Sequence, residues 1–254
     1  MRKISATIIT LNEERNIERC ILSLKNVADE IIVLDSFSTD KTEAICKEQG
    51  VTFVQRKWEG YSQSKNHLNG LAQHDYILSI DADECLDQEL ESAILAIKEE
   101  DSPQIYSLSR ITNYCGKWIK HSGWYPDVKT RLFPKKDVYW DGEFVHEELV
   151  YPADFKVINL KGHLEHYSYY SYKDHRARAD KYSTLTALKM YKKGKRAGVL
   201  KPWLSGLGRF VAMYFIKAGF LDGWMGFKIA QISAQSNVFK YKELIRLQNE
   251  KHPA

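Results

Sequence analysis

The first 80 residues alternate between short β-branched runs and amphipathic segments, and this alternation restricts the fold more than any other feature of the chain. Residues 4–10 form the first run, and Ile17, Cys20, Ile21 and Leu24 then recur at helical spacing. Further β-like runs occupy residues 30–35, 51–55 and 75–80. Strands that alternate with helices build a parallel sheet covered on both faces. The sequence therefore predicts an α/β fold.

Length and composition limit the size of the protein and its compartment. The chain has 254 residues, 44% of them hydrophobic, and a formal net charge of +4. This length suits a domain of roughly 150 residues with a smaller helical part. Its four cysteines lack the close pairing of zinc sites or small disulfide frameworks, which favours a reducing compartment. We expect no signal peptide and no spanning helix, because the apolar runs are too short.

The regular alternation ends near residue 100, where aromatic, β-like stretches with Gly, Trp and Pro between them replace it. From about Tyr172 the pattern becomes helical again. We therefore predict a catalytic domain over residues 1–170 and a basic, aromatic helical extension over residues 171–254. Within the first domain, residues 1–100 form the expected nucleotide-binding half and residues 101–170 the expected acceptor side.

Polar side chains follow three of the predicted strands where each strand ends. They are Thr10, Asn12 and Glu13, then Asp35 and Ser36, then Asp81, Ala82 and Asp83. Parallel α/β sheets bind ligands beyond the carboxyl ends of their strands, so these residues are expected to share one crevice. Acidic strand ends would repel a phosphate unless a cation intervened. The sequence thus predicts a Mg²⁺ or Mn²⁺ site for a nucleotide diphosphate, with Asp81 and Asp83 as metal ligands.

Each of these residues also has a purely structural interpretation. An isolated Asp-x-Asp motif is commonly a solvated turn, but Asp81 and Asp83 follow a buried apolar strand, which favours a binding site. Asp35 is a candidate for nucleoside contact, although carboxylates at such positions also cap helices. Lys65 and Asn66, on the third helix, either contact the pyrophosphate or form an ordinary solvated face.

Three segments resemble family 2 glycosyltransferases of the GT-A type. They are IITLNE at residues 8–13, VLDSFSTD at residues 33–40 and DADE at residues 81–84. Five more segments resemble the branch of lipopolysaccharide-core β-glucosyltransferases. They are VADE at residues 27–30, WEG at residues 58–60, HSGWYPD at residues 121–127, RLF at residues 131–133 and FLDG at residues 220–223.

The resemblance implies a Rossmann-like GT-A fold with a C-terminal helical extension, and an inverting transferase. It also implies a UDP-sugar donor, often UDP-glucose, and a saccharide or glycolipid acceptor such as the heptose of a lipopolysaccharide inner core. One position departs from the family pattern. Many family members carry two acidic residues after the second strand, whereas Ser36 follows Asp35 here. A contact between a second carboxylate and the nucleotide base is therefore not expected.

Inverting transfer requires a carboxylate that accepts the proton of the acceptor hydroxyl. Two carboxylates are candidates for this base. Asp127 ends the HSGWYPD segment, and Glu147 follows the RLF segment; we prefer Glu147. The neighbouring His146 is a third metal ligand, a group that holds the leaving phosphate, or a hydrogen-bonded structural histidine.

Two alternative functions need to be weighed. A nucleotidyltransferase acting on a sugar phosphate also pairs a parallel sheet with metal-binding carboxylates, but it calls for a glycine- and cation-rich loop after the first strand. A nucleic-acid-binding protein would use the basic residues between 173 and 201. That reading leaves the acidic strand ends without a role, so we expect no nucleic-acid partner.

The C-terminal third combines basic residues with many aromatic ones. This composition is typical of helices that lie in the headgroup region of a membrane, and an anionic membrane surface is one expected partner. The other interpretation is that these helices pack on the catalytic domain or on a second subunit, in a homo-oligomer. We expect the protein in the cytoplasm. If the C-terminal helices bind a membrane, we expect it on the inner face of the cytoplasmic membrane.

Overall fold

The computed structural model describes residues 2–100, 104–142 and 147–250. Two compact units occur along the chain, one made of residues 1–111 and 127–167, the other of residues 112–126 and 168–254. The predicted boundary at residue 170 differs from this division. Residues 112–126 group with the C-terminal segment because backbone amides of Lys120 and His121 donate to the buried carboxylate of Asp222.

The first unit begins with the alternation that the sequence predicts. Its first elements are β1 (Ile4–Thr10), α1 (Ile17–Leu24), β2 (Glu30–Asp35), α2 (Thr42–Glu48), β3 (Thr52–Gln55), α3 (Tyr61–Leu71) and β4 (Tyr76–Asp81). Next along the chain come β5 (Glu84–Leu86), α4 (Gln88–Ile97), β6 (Ile105–Tyr114), β7 (Lys117–Ile119), β8 (Asp127–Pro134), β9 (Tyr139–Asp141), β10 (Glu148–Val150) and β11 (Val157–Tyr169), and of these β7 belongs to the second unit. The predicted strands and helices of the first 80 residues are confirmed.

The strands form a mixed sheet in the order β3-β2-β1-β4-β8-β6-β11-β5, with β7 paired to β6. β3, β2, β1 and β4 run parallel, whereas β8 is antiparallel to β4 and β5 is antiparallel to β11. The parallel part gives the sheet its ligand-binding edge, because the ends of β1, β2 and β4 lie side by side there. β9 and β10 form a separate antiparallel pair.

Both faces of the parallel sheet are covered by apolar side chains. Leu78 and Ile77 are neighbours on β4, and both are fully buried, but they belong to different clusters. Leu78 packs with residues of α1 and α4, and Ile77 packs with Leu68 of α3. Successive strand residues point to opposite faces, so this division confirms the predicted layers of helices on both sides.

The second unit is largely helical. Its helices are α5 (Tyr172–Lys192), α6 (Lys201–Val211) and the long α7 (Gly223–Glu250). A π-helical turn at Ala212–Ile216 and a 3₁₀ turn at Gly219–Asp222 join α6 to α7. Its core contains Tyr114, Ile119, Met213, Ile229 and Ala230. Tyr114 and the buried His175 share a hydrogen bond of 2.8 Å, and burial lowers the pKa of His175 to about 4, which marks a structural histidine.

Candidate active site

The polar strand ends meet at one edge of the sheet, as the sequence predicts. In the strand register Thr10 lies beside Asp35, and Ile9 lies beside Asp81. Thr10 is buried, and its hydroxyl oxygen has no hydrogen-bond partner among the residues that the structure describes. An unpaired polar atom at the ligand-binding edge of a parallel sheet is the kind of group that a bound ligand satisfies.

Asp35 and Asn12 organise the loops around this edge. The fully buried carboxylate of Asp35 accepts hydrogen bonds from the amide and hydroxyl of Ser38 and, at 3.1 Å, from the side chain of Gln55. The Asn12 amide donates to the Ser38 hydroxyl at 2.7 Å, and the Asn12 side-chain oxygen accepts from the amide of Thr39 at 2.8 Å. The loop after β2 is therefore tied to the loop after β1, and nucleoside contact by Asp35 stays a prediction.

Glu13 and Ser36 also have local partners. The Glu13 amide donates to the Thr42 hydroxyl at 2.9 Å, and the Glu13 carboxylate accepts from the Asn16 side chain at 2.7 Å. The Ser36 amide donates to the carbonyl of Thr10 at 3.0 Å, which extends the β1–β2 ladder by one bond. These contacts shape the edge, and direct binding of a nucleotide by either side chain stays a prediction.

The two neighbouring residues of α3 have different surroundings. Lys65 is buried, and its ammonium lies 3.2 Å from Asp81 Oδ1 and 3.5 Å from Glu147 Oε1. Asn66 instead holds the backbone of Trp140, donating to its carbonyl at 2.7 Å and accepting from its amide at 2.8 Å. Lys65 therefore belongs to the site and is not part of a solvated face, whereas Asn66 fixes β9.

Asp81 belongs to a network of charges that the sequence analysis did not identify. The guanidinium of Arg131 donates to Asp81 at 2.6 Å and to both oxygens of the fully buried Glu84 at 3.0 and 3.1 Å. Arg110 donates to Glu84 at 2.9 Å. Burial alone would raise the pKa of Asp81, but Arg131 and Lys65 hold that pKa well below its usual range. Asp81 is therefore ionised at neutral pH.

We expect Arg131→Met to destabilise the fold by about 3–5 kcal/mol, because it removes the cation that compensates the buried Glu84. Urea unfolding monitored by circular dichroism measures this loss. Arg246→Met is the matched control, since the exposed side chain of Arg246 pairs with Glu243 and Glu250 near the end of α7, and we expect almost no shift of the unfolding midpoint. A loss below about 1 kcal/mol for Arg131→Met would contradict the role of this network.

Asp83 has a partner that the sequence analysis left without a role. His166 Nε2 lies 3.1 Å from Asp83 Oδ2, and both side chains are largely buried. The contact arises because β11 pairs with β5, which places His166 opposite Glu84. The two residues are 83 positions apart, so no local spacing signals the pair. Ala82 is buried between the two aspartates of the motif.

The Asp83–His166 pair fits a divalent metal by the chemistry of its donors. A carboxylate oxygen and an imidazole nitrogen are both ligands of Mn²⁺, and Mg²⁺ usually takes one or two carboxylates plus substrate phosphates and water. Among the residues that the structure describes, no group of three or more acidic, histidine or cysteine side chains is arranged so that it could hold a metal ion by itself. His146, the predicted third ligand, lies outside the described residues.

The two candidates for the catalytic base differ in their surroundings. Asp127 accepts two hydrogen bonds from Arg110, at 2.9 and 2.6 Å, and lies 3.0 Å from Lys129. Burial would raise the pKa of Asp127, but Arg110 and Lys129 lower it below its usual value, which weakens Asp127 as a proton acceptor. Glu147 contacts the same ammonium that contacts Asp81, so it lies beside the motif.

Comparison with known proteins identifies the family of the chain. The family model described as Glycosyl transferase family 2 matches residues 5–151. An uncharacterized glycosyltransferase of Rickettsia bellii is 32% identical over 100% of this chain and 90% of the relative. The lipopolysaccharide core biosynthesis glycosyltransferase LpsC of Rhizobium meliloti is 30% identical over 91% of this chain and 87% of LpsC.

A crystal structure of glucosyl-3-phosphoglycerate synthase from Mycobacterium tuberculosis, in complex with Mn²⁺ and UDP-glucose, is similar to part of the chain. The identity is 26% and the TM-score 0.37, and the similarity covers 45% of this chain and 44% of the synthase. The chain therefore matches less than half of the length of that enzyme. The assignment of the family rests on the family model and on the two full-length relatives.

The family match covers more than half of the chain, and it removes the nucleotidyltransferase alternative. The parallel strands β3, β2, β1 and β4, the antiparallel strands beyond them and the long C-terminal helix agree with the predicted fold. The chain belongs to glycosyltransferase family 2, and it is a glycosyltransferase with a GT-A fold and a C-terminal helical extension.

Proposed function

We propose that this glycosyltransferase transfers a hexose, with glucose as the first candidate, from a UDP-sugar to a saccharide acceptor. The acceptor class that we propose is the lipopolysaccharide inner core or a related surface glycan. Support for this class comes from the similarity to LpsC, which is a lipopolysaccharide core biosynthesis enzyme. The observation that carries the proposal is the grouping of Asp83, His166, Asp81, Lys65 and Glu147 at the strand-end edge.

In this proposal Asp83 and His166 would hold Mg²⁺ or Mn²⁺. The bound metal supplies positive charge that stabilises the departing diphosphate. Asp81 is kept ionised by Arg131 and Lys65, so it presents a fixed negative charge beside the pair. The Thr10 hydroxyl, which has no partner in the described part of the chain, is a hydrogen-bonding group for the nucleotide.

Inversion at the anomeric carbon is a single displacement. The acceptor oxygen forms a bond to that carbon on the face opposite the UDP, while the bond from the carbon to the β-phosphate oxygen breaks. The acceptor proton passes to the carboxylate of Glu147, and the electron pair leaves with UDP. Lys65 contacts Glu147 at 3.5 Å and holds it beside the motif.

We further propose that the enzyme acts in the cytoplasm. Cys20, Cys46, Cys85 and Cys115 all carry free thiols, which suits a reducing compartment. A cytoplasmic location also places the enzyme where UDP-sugars are made and, at the inner face of the membrane, where lipid-linked acceptors are assembled.

Incubation of the purified protein with UDP-, GDP- and dTDP-sugars, each with Mn²⁺, tests the donor class through the nucleotide released. We expect release of UDP, fastest from UDP-glucose, and a further increase when a heptose-containing core oligosaccharide is added. The anomeric configuration of the product, measured by NMR, tests inversion. Release of GDP or dTDP in preference to UDP would overturn the donor assignment.

A further inference from the structure

The segment from α6 to the start of α7 exposes an apolar surface of large side chains. Along α6 the exposed residues recur every three or four positions, as on one face of a helix. We name this set the α6 apolar surface. It consists of Val199, Leu200, Trp203, Leu204, Leu207, Val211, Phe215, Ile216, Phe220, Leu221 and Trp224, which are 38–80% exposed.

This surface is not the face by which α6 packs inside its own unit. Pro202, Gly206 and Met213 are the buried residues of α6 and the following turn. A Cβ at Gly206 would lie 2.5 Å from a methyl group of Val238, so α6 approaches α7 closely on that side. The helix therefore has two apolar faces, and the fold covers one of them. Monomeric soluble proteins rarely expose large contiguous apolar patches, and such patches usually mark an interaction site.

The charges along residues 181–221 of the chain are all of one sign, because this stretch contains no aspartate or glutamate. The same stretch contains nine basic residues, Lys181, Lys189, Lys192, Lys193, Lys195, Arg196, Lys201, Arg209 and Lys217. Four of them, at positions 192, 193, 195 and 196, are exposed at the end of α5 and in the connection to α6, and we name this segment the basic loop. A partner for this surface must therefore accept apolar side chains and carry negative charge close by.

We propose that the α6 apolar surface docks on an anionic lipid bilayer, with the basic loop on the headgroups and the apolar side chains among the upper acyl carbons. Amphipathic helices with tryptophan, phenylalanine and leucine on one side and basic residues beside them bind membranes in this way. A second copy of the chain fits less well, because a symmetric contact would bring like charges together. This inference does not depend on the identity of the donor or the acceptor.

The bend between α6 and α7 is consistent with a surface that dips into the bilayer. Among the described residues no single helix is long and apolar enough to span a membrane. One pair of helical segments, Lys201–Ile216 and Gly219–Glu250, has the length and composition of a membrane span only when the two are taken together, and the chain bends by 72° between them. Ala218 adopts a left-handed conformation, with φ 52°, at this bend. Phe215, Ile216, Phe220 and Leu221 flank it and are exposed, so apolar side chains are available for insertion on both sides of the bend.

Sedimentation of the full chain with vesicles tests the proposal. We expect the protein to pellet with vesicles of equal phosphatidylcholine and phosphatidylglycerol, to pellet less as salt rises, and to stay in solution with phosphatidylcholine alone. The triple variant Leu200→Gln, Leu204→Gln, Leu207→Gln should bind at least about tenfold more weakly, because polar amides replace the inserted side chains. Replacing Lys192, Lys193, Lys195 and Arg196 by Gln should weaken binding by at least about tenfold as well.

Matched controls lie in the other unit. The triple variant Leu22→Gln, Leu71→Gln, Leu95→Gln makes the same change at three leucines that are also exposed on helices. Replacing Lys3, Lys47, Lys136 and Lys161 by Gln removes the same charge from exposed positions outside the basic loop. Both controls should bind vesicles like the unmodified protein, and circular dichroism should show that every variant is folded.

Four outcomes would overturn the proposal. Absence of pelleting with anionic vesicles at low salt would exclude a lipid partner. A dimer in analytical ultracentrifugation that the α6 leucine variant dissociates, without vesicle binding, would show that a second copy covers the surface. Retention in membranes after extraction at alkaline pH would show a spanning arrangement instead of an interfacial one. Equal loss of binding in the variants and their matched controls would also remove the assignment to α6.

Discussion

Asp83→Ala is expected to abolish sugar transfer while the protein stays folded. The metal that we propose at Asp83 and His166 stabilises the leaving diphosphate by several kcal/mol, so its loss lowers the rate by roughly a thousandfold or more. The stability should change little, because Asp83 lies in the turn between β4 and β5, and the variant loses its contact with His166 but no packed apolar side chain. UDP release and product formation measure the rate, and circular dichroism measures folding.

Metal binding distinguishes this explanation from a structural one. Titration of Mn²⁺ into the protein with UDP, followed by electron paramagnetic resonance, should show weaker binding in Asp83→Ala and in His166→Ala. Asp154→Ala is the matched control, since Asp154 is exposed and far along the chain from the motif, and it should keep both activity and Mn²⁺ affinity. Full activity in excess EDTA, or an unchanged rate in folded Asp83→Ala, would overturn the metal assignment.

Glu147→Gln should retain UDP-sugar binding and lose a factor of about 10²–10⁴ in the rate of transfer. The amide has nearly the shape of the carboxylate and can still accept a hydrogen bond from Lys65, but it cannot accept the proton of the acceptor hydroxyl. Steady-state kinetics with a saturating acceptor measure kcat, and calorimetric titration with UDP-glucose measures donor affinity. The expected signature is a loss in kcat with an unchanged donor Kd.

Two variants control this result. Glu148→Gln alters the neighbouring residue, which is exposed, and it should leave the rate unchanged. Asp127→Asn should keep most of the activity, because Arg110 and Lys129 already hold that carboxylate in its ionised form. An inactive Asp127→Asn beside an active Glu147→Gln would show that Asp127 is the base.

The sequence by itself determined the parts of this protein that depend on local periodicity. The alternation of strands and helices predicts β1 to β4 and the parallel sheet. It can be detected in the sequence because the apolar side chains of a strand or a helix recur at a fixed spacing over a few neighbouring residues. The same pattern predicts where each strand ends, and therefore that Asp35 and Asp81 lie at one edge. Motif resemblance added the family, which the comparison confirms.

The tertiary structure alone decided which distant side chains complete the site. Asp83 meets His166 because β11 pairs with β5, and Arg131 and Arg110 reach Glu84 from the antiparallel strands β8 and β6. Pairing between strands far apart in the chain leaves no repeat that a sequence window can detect, since it depends on long connections and on the packing of the whole sheet. Burial of Lys65 has the same origin, because a lysine on a helix is ordinarily solvated unless the fold brings carboxylates to it.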